Sequence, residues 1–94
     1  MNKLEFGQGV FTSLPMLIAE ELGCTWTSVR AMHAPVAPVY NHPAFGMQMT
    51  GGSESVKSSY EQFRAIGARA RTMLIAAAAQ RWGVDPSACR AELG

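Results

Sequence analysis

The feature that most constrains this chain is a glycine pair followed by a long segment without proline. Gly51 and Gly52 stand directly before Ser53, and the segment from Ser53 to Trp82 is rich in alanine. Serine is a favoured N-cap because its hydroxyl accepts hydrogen bonds from the free backbone N–H groups of a first helical turn. The sequence therefore predicts one long helix over residues 53–82, about 45 Å in length at ~1.5 Å per residue.

A stripe of apolar or small residues follows this predicted helix at steps of three and four, which is the spacing of one helix face. Gly67 lies within the stripe, where glycine costs about 1 kcal/mol relative to alanine. We expect a second backbone to cross at close range there, since a close crossing would compensate for that cost. The stripe consists of Val56, Tyr60, Phe63, Gly67, Ala70, Leu74, Ala78 and Trp82.

A second glycine turn precedes a shorter predicted helix over residues 13–22. Residues 1–6 alternate in polarity and are interpreted as the end of a strand, after which Gly7-Gln8-Gly9 forms the turn. Thr12 or Ser13 can cap the helix, and Gly23 is its natural C-terminal stop. The leucines and isoleucine at positions 14, 17, 18 and 22 have the pattern of one buried face.

The remaining segments complete an α+β prediction. Val29–Ala34 alternates in part and is predicted as a strand, whereas three prolines in Pro35–Met49 predict an irregular loop. Asp85 is predicted to cap a turn, and Ala88–Leu93 is a candidate last strand. The predicted order is β-α-β-loop-long α-β in a single domain, residues 1–94, with both outer strands cut short. We therefore expect a fragment of a larger protein.

Composition excludes several classes of function. Eight Lys and Arg against seven Asp and Glu give a net charge of +1, which argues against nucleic acid as the main partner. No run of ~20 apolar residues predicts a membrane span, and the polar amino terminus predicts no signal peptide. Cys24 and Cys89 do not have zinc-ligand spacing with His33 and His42, so two unpaired thiols are favoured, with a disulfide left open.

Both glycine turns lead into helix N-termini, which favour anions. Neither turn matches a dinucleotide-binding or phosphate-loop motif, and ordinary capping turns have the same composition. No hydrolase motif is present, and His33 and His42 have no neighbouring carboxylate or nucleophile in the sequence. From residue chemistry alone, the two turns are candidate anion sites and nothing more specific.

The residues around both turns resemble the molybdopterin-binding large subunit of the xanthine dehydrogenase/aldehyde oxidase family, with the greatest likeness to the isoquinoline 1-oxidoreductase beta-subunit type. The likeness extends over essentially the whole chain. It is carried by Glu5–Val10, Thr12–Met16, Ala19–Leu22, His33–Val36, Tyr40-Asn41, Phe45–Ser53 and Ala77–Val84.

This resemblance implies a molybdenum–pyranopterin cofactor, in the cytosine dinucleotide form. It also implies hydroxylation of an aldehyde or N-heterocycle with oxygen from water. The implied partners are the remainder of the large subunit, an iron–sulfur or haem electron-transfer subunit and a small-molecule substrate. The family's catalytic glutamate has no counterpart here, so we expect no activity from the 94 residues alone. The alternative is a small independent binding or interaction module without catalysis.

By resemblance, Gln8 would hydrogen-bond an oxygen ligand of molybdenum while its flanking glycines let the backbone approach. The second turn would bind the polar or phosphate part of the cofactor. No residue of this chain is assigned a catalytic role or a direct metal bond. The predicted cofactor-binding residues are Gly7, Gln8, Gly9, Gly51, Gly52, Ser53 and Ser55, and Phe45 and Met47 are weaker candidates for lining the substrate approach.

Overall fold

The computed structural model describes residues 1–94 and contains two α-helices and no β-strand. Helix α1 spans Val10–Leu22 and helix α2 spans Tyr60–Trp82, with 3-10 turns at Trp26–Ser28, Pro38–Tyr40 and Pro86–Ala88. The α+β prediction, with its order β-α-β-loop-long α-β, is therefore wrong. Neither helix combines the length and apolar character that crossing a membrane requires.

The predicted strands do not form because their backbone pairing stops after one residue. The Met1 ammonium donates to the Met32 carbonyl at 2.6 Å, and Ala34 N–H donates to the Met1 carbonyl at 2.7 Å. At Leu4 the backbone N–H donates instead to the side-chain oxygen of Thr50, at 2.8 Å. A β-ladder needs successive backbone pairs, so residues 1–6 and 29–34 stay irregular. The candidate strand Ala88–Leu93 likewise pairs with no second strand.

Helix α1 begins at Val10, earlier than predicted, with Gly9 as its N-cap at φ 84°. No side chain of Thr12 or Ser13 caps it, and Pro15 lies inside the helix rather than in a first turn. The predicted inward face of α1 is confirmed at Leu14, which is completely buried. Gly23 ends the helix at φ 71°, as predicted.

Helix α2 begins at Tyr60, and the prediction of a helix from Ser53 is wrong. Gly52 and Ser53 both have positive φ, 65° and 58°, which is incompatible with a right-handed helix. Residues 54–59 form a separate turn in which Ser58 N–H donates to the Glu54 carbonyl at 2.8 Å. Tyr60–Trp82 is therefore about 35 Å long at ~1.5 Å per residue.

The close crossing predicted at Gly67 is confirmed. A Cβ atom on Gly67 would lie 2.6 Å from the Ile18 carbonyl oxygen and 2.9 Å from Glu21 Cβ. An ion pair between Arg64 and Glu21 adjoins the same crossing. Glycine at this position lets α2 approach the backbone of α1, and the two helices pack on each other here.

The predicted stripe is wrong as a buried face at both ends, and Val56 and Tyr60 at its start are each 42% exposed. Leu74 and Trp82 are 62% and 67% exposed, whereas Ala79 is 1% exposed. The inward face changes because the partner of α2 changes from α1 to the returning tail, residues 84–94. Val84 N–H donates to the Ala79 carbonyl at 3.1 Å, and Arg71 donates to the Ala91 carbonyl at 3.3 Å.

The chain has a small core and a large apolar surface. Nine of 94 residues are buried, and the accessible surface is 6825 Å². A compact protein of 10.1 kDa would expose roughly 5,300 Å². The radius of gyration is 15.6 Å, against about 12 Å for a compact domain of this length. An extended shape therefore accounts for the many exposed large apolar side chains.

Candidate functional site

The two glycine turns predicted from the sequence meet in one cleft of about 350 Å³. One side comes from the first turn and the start of α1, and the other comes from the segment before α2. We call it the glycine cleft. Its lining residues are Phe6, Gln8, Val10, Ser13, Thr50, Gly51, Gly52, Ser53, Ser55 and Val56.

Hydrogen bonds between the amino-terminal segment and residues 49–50 hold the two sides of the cleft together. Leu4 N–H donates to Thr50 Oγ1 at 2.8 Å across 46 positions of sequence. Lys3 Nζ donates to the Met49 carbonyl at 3.4 Å and is 3% exposed. Burial lowers the pKa of Lys3, and the negative charge of Glu54 partly opposes that effect.

The first turn is occupied by a carboxylate of the chain itself. Glu5 accepts hydrogen bonds from the N–H groups of Gly7, at 2.8 Å, Gly9, at 3.0 Å, and Phe11, at 2.9 Å. These donors, Phe11 first, hold the pKa of the Glu5 carboxyl below its usual value. Glu5 thus caps α1 and satisfies the N–H groups that an external anion would otherwise use at this helix terminus.

The side chain of Gln8 is fixed by its own backbone neighbours. Its Oε1 accepts from Phe6 N–H at 2.8 Å, and its Nε2 donates to the Leu4 carbonyl at 2.6 Å. A primary amide nitrogen carries two hydrogens. One N–H of Gln8 is therefore left to donate to a ligand in the cleft, from a side chain whose orientation is already set.

The opposite wall, Gly51–Val56, offers a row of free donors. The backbone N–H groups of residues 51, 52, 53, 55 and 56 donate to no atom of the chain. The only backbone bond within this wall runs from Glu54 N–H to the Gly51 carbonyl at 3.3 Å. No charged side chain lines the cleft. The arrangement suits an anionic or strongly polar group held by neutral donors.

Phe45, Met47, Gly7 and Gly9 are not among the residues that line the glycine cleft. Both Phe45 and Met47 are more than half exposed and belong to a loop organised around His42. His42 N–H donates to the Met47 carbonyl at 2.8 Å, and its ring lies 4.7 Å from that of Phe45. The structure does not bring this loop to Gln8.

Three residues around these loops were missed at the level of sequence: Lys3, Glu5 and His42. Glu5 precedes Gly7 by two residues, and a carboxylate just before a glycine turn is a recognisable capping signal. Lys3 and His42 are each 3% exposed, and His42 Nε2 has no hydrogen-bond partner. No local pattern marks either residue, because their burial results from contacts between distant segments.

Metal-binding side chains are not grouped in this structure. No three His, Cys, Asp or Glu residues lie close enough to hold a metal ion. Cys24 and Cys89 are free thiols. The donor set of the glycine cleft therefore fits the polar periphery of an organic cofactor and includes no direct ligand to a metal.

Two curated proteins match nearly the whole of this chain. It is 38% identical over 93 residues to isoquinoline 1-oxidoreductase subunit beta from Brevundimonas diminuta, a match covering 97% of this chain and 12% of that protein. It is 34% identical over 87 residues to membrane-bound aldehyde dehydrogenase [pyrroloquinoline-quinone] from Gluconacetobacter polyoxogenes, covering 93% and 11%. The chain thus spans about one eighth of the length of these relatives. No protein-family model matches it.

Proposed function

This chain is a relative of the isoquinoline 1-oxidoreductase beta subunits, and we propose that it forms part of the cofactor-binding region of a larger oxidoreductase. The observation that carries the proposal is the glycine cleft. Two loops far apart in the sequence, one around Gln8 and one over Gly51–Ser55, line the same cavity. The second loop supplies backbone N–H groups without a backbone acceptor, and the first supplies the remaining side-chain N–H of Gln8.

The proposed cofactor is a molybdenum–pyranopterin in the cytosine dinucleotide form. When bound, it supplies hydroxylation of an aldehyde or N-heterocycle with oxygen from water. The free N–H groups of Gly51–Val56 and the hydroxyls of Ser53 and Ser55 would hold its phosphate or other polar groups. The free N–H of Gln8 would donate to an oxygen ligand of the metal. A cleft of about 350 Å³ is near the lower limit for ligand pockets, so this chain contacts only part of a dinucleotide.

No lysine or arginine lines the cleft, but its wall can still bind an anion through backbone N–H groups. The free backbone N–H groups of this wall are neutral donors of the kind that bind anions. Glycine at positions 51 and 52 places no side chain of its own beside the peptide groups. At Gly52, with φ 65°, glycine also avoids the strain that a side chain would bring.

The proposed role is binding rather than proton transfer. Glu5 lies close to the first turn, but three backbone N–H groups stabilise its charged form. A carboxylate with a lowered pKa is a weak base at neutral pH. Catalytic groups, the remaining cofactor contacts and the electron-transfer subunit with iron–sulfur or haem centres are assigned to other parts of the assembly.

A second candidate cofactor comes from the name of the Gluconacetobacter relative, which specifies pyrroloquinoline quinone. This quinone carries several carboxylates, and the same N–H groups could hold one of them. The two cofactors differ in the groups that the chain would bind, because only the dinucleotide has a pyrophosphate and a cytosine. A non-catalytic interaction module is the remaining alternative, and it requires no cofactor in the cleft.

The test is an NMR titration of the 94-residue chain with cytidine diphosphate and, separately, pyrroloquinoline quinone. We expect cytidine diphosphate to shift the backbone amides of Gly51–Val56 in a saturable manner. Substituting Ser53→Ala and Ser55→Ala together should weaken binding about tenfold, from the loss of two hydrogen bonds. Ser58→Ala is the matched control, since its hydroxyl bonds the Glu54 carbonyl and does not line the cleft.

Other outcomes separate the alternatives. If only pyrroloquinoline quinone shifts the amides of Gly51–Val56, the quinone and not the dinucleotide is the cofactor of the cleft. Absence of shifts in Gly51–Val56 with both ligands would refute the cleft as a cofactor site and favour the interaction module. Equal losses of affinity in the double variant and in Ser58→Ala would show that the hydroxyls of Ser53 and Ser55 do not bind the ligand.

A further inference from the structure

We propose that the cavity beside Lys3 is a second binding site, which takes a small monocarboxylate with an apolar body. This Lys3 cavity has a volume of about 230 Å³ and lies between residues 1–4, 33–36 and 48–50. Its polar lining residues include Lys3, His33 and Gln48, and its apolar lining residues include Leu4, Val36 and Met49. It shares only Thr50 with the glycine cleft.

The ammonium group of Lys3 has more N–H donors than the chain provides acceptors for. Lysine is almost never fully buried unless it is paired, yet Lys3 is 3% exposed and has no ion pair within 4.0 Å. Its one hydrogen bond, to the Met49 carbonyl, is long at 3.4 Å. An ammonium carries three hydrogens, so two of them have no acceptor in the chain.

The rest of the lining favours a negative ligand. No Asp or Glu lines the Lys3 cavity. Gln48 Oε1 accepts from Ala37 N–H at 3.3 Å, which leaves its amide N–H groups free to donate. The ring of His33, another lining residue, contacts the ring of Phe11 at 4.5 Å. The nearby charge of Glu54 acts on Lys3 but does not line the cavity.

Size and polarity select a carboxylate over a nucleotide. The volume is below the roughly 300 Å³ at which ordinary ligand pockets begin, so a nucleotide does not fit. Half of the lining residues are hydrophobic, which suits a short aliphatic or aromatic body better than a free phosphate. A carboxylate on such a body pairs with Lys3 while the body contacts Leu4, Val36 and Met49.

The test compares benzoate with benzamide, its neutral counterpart, in an NMR titration of the full 94-residue chain. We expect saturable shifts of the amides around Lys3, Ala34 and Gln48 with benzoate. We expect benzamide to bind about tenfold more weakly, because a charge-assisted hydrogen bond is lost. Both ligands are titrated without any cofactor, so the outcome is independent of the glycine cleft.

Lys3→Met should weaken benzoate binding about tenfold or more, since charged hydrogen bonds contribute about 1.5–3 kcal/mol. Lys57→Met is the matched control, because it removes the same charge from a side chain that is 79% exposed, and it should leave binding unchanged. Lys3→Arg should restore part of the affinity. Equal effects of Lys3→Met and Lys57→Met would overturn the proposal, and so would equal binding of benzamide and benzoate.

A second variant keeps the test decisive if Lys3→Met does not fold, as judged by circular dichroism at 222 nm. Gln48→Glu preserves an acceptor for Ala37 N–H and places a carboxylate in the lining. This change should repel benzoate and abolish its shifts. Undiminished benzoate binding to a folded Gln48→Glu chain would refute the site.

Discussion

Replacing Gly67 by alanine should destabilise the fold, which is the opposite of the usual effect of this change within a helix. An exposed helical glycine gains about 1 kcal/mol on substitution by alanine. At Gly67 the added Cβ would lie 2.6 Å from the Ile18 carbonyl oxygen and 3.2 Å from Ile18 Cα. Both are backbone atoms of α1, so no side chain can rotate away, and the helices must separate.

The magnitude follows from two opposing terms. Overpacking a close contact costs about 1–3 kcal/mol and sometimes more, and the gain in helix propensity offsets about 1 kcal/mol of it. The 2.6 Å contact with backbone calls for the upper part of that range, about 2–3 kcal/mol, so we expect a net loss of about 1–2 kcal/mol in the free energy of unfolding. In a domain with only nine buried residues, this is a large part of the stability.

The assay is urea denaturation followed by circular dichroism at 222 nm. Ala77→Gly is the matched control, because Ala77 is exposed within the same helix and this change isolates the propensity term at about 1 kcal/mol. A Gly67→Ala chain more stable than the wild type would refute the close crossing. A midpoint shift accompanied by an altered slope would instead indicate a change in the compactness of one of the two states.

Three further predictions concern charge and assembly. Glu5→Gln should remove an acid-sensitive contribution to stability: the folded-state pKa of Glu5 is lowered, so its contribution is present above the ordinary value of 4.5 and is lost as pH falls through the folded-state pKa. Thermal unfolding as a function of pH measures this, and an identical acid limb in both chains would contradict it. Benzoate binding should decline at a lower pH than an ordinary lysine would allow, because burial lowers the pKa of Lys3 and rising pH removes its charge earlier; an NMR titration repeated from neutral to alkaline pH measures the decline. The chain expressed alone in a host that makes molybdenum cofactor should retain substoichiometric molybdenum and oxidise no aldehyde, and stoichiometric metal with turnover would contradict that expectation.

The glycine turns illustrate how far local sequence signals reach. Each turn is recognisable from its own residues, because glycine marks positions where the backbone takes a positive φ or must stay uncovered. Their meeting in one cleft depends on contacts between segments remote in the sequence, such as the bond from Leu4 N–H to Thr50 Oγ1. The occupation of the first turn by Glu5 was not predicted, although Glu5 lies beside it in the sequence. It depends on which of several available acceptors the folded loop brings to the N–H groups.

Helix α2 shows the limit of periodicity. Ser53 has the chemistry of an N-cap, but positive φ at Gly52 and Ser53 moves the helix start to Tyr60. The stripe correctly identified Gly67 as an inward position, and it failed at Val56 and Tyr60 before the crossing and at Leu74 and Trp82 after it. A periodic pattern assumes one partner along the whole helix, whereas α2 packs first on α1 and then on the tail 84–94.

What the sequence by itself determined is what short segments encode: the inward face of α1, its stop at Gly23, the crossing at Gly67, and a resemblance spread along the chain. What only the tertiary structure decided is which segments meet. Backbone pairing beyond Met1 fails, Lys3 becomes buried against Met49, and Glu5 takes the N–H groups of the first turn. The physical reason is that strand pairing and burial depend on contacts between residues remote in the chain, whereas helix faces, caps and glycine turns depend on near neighbours.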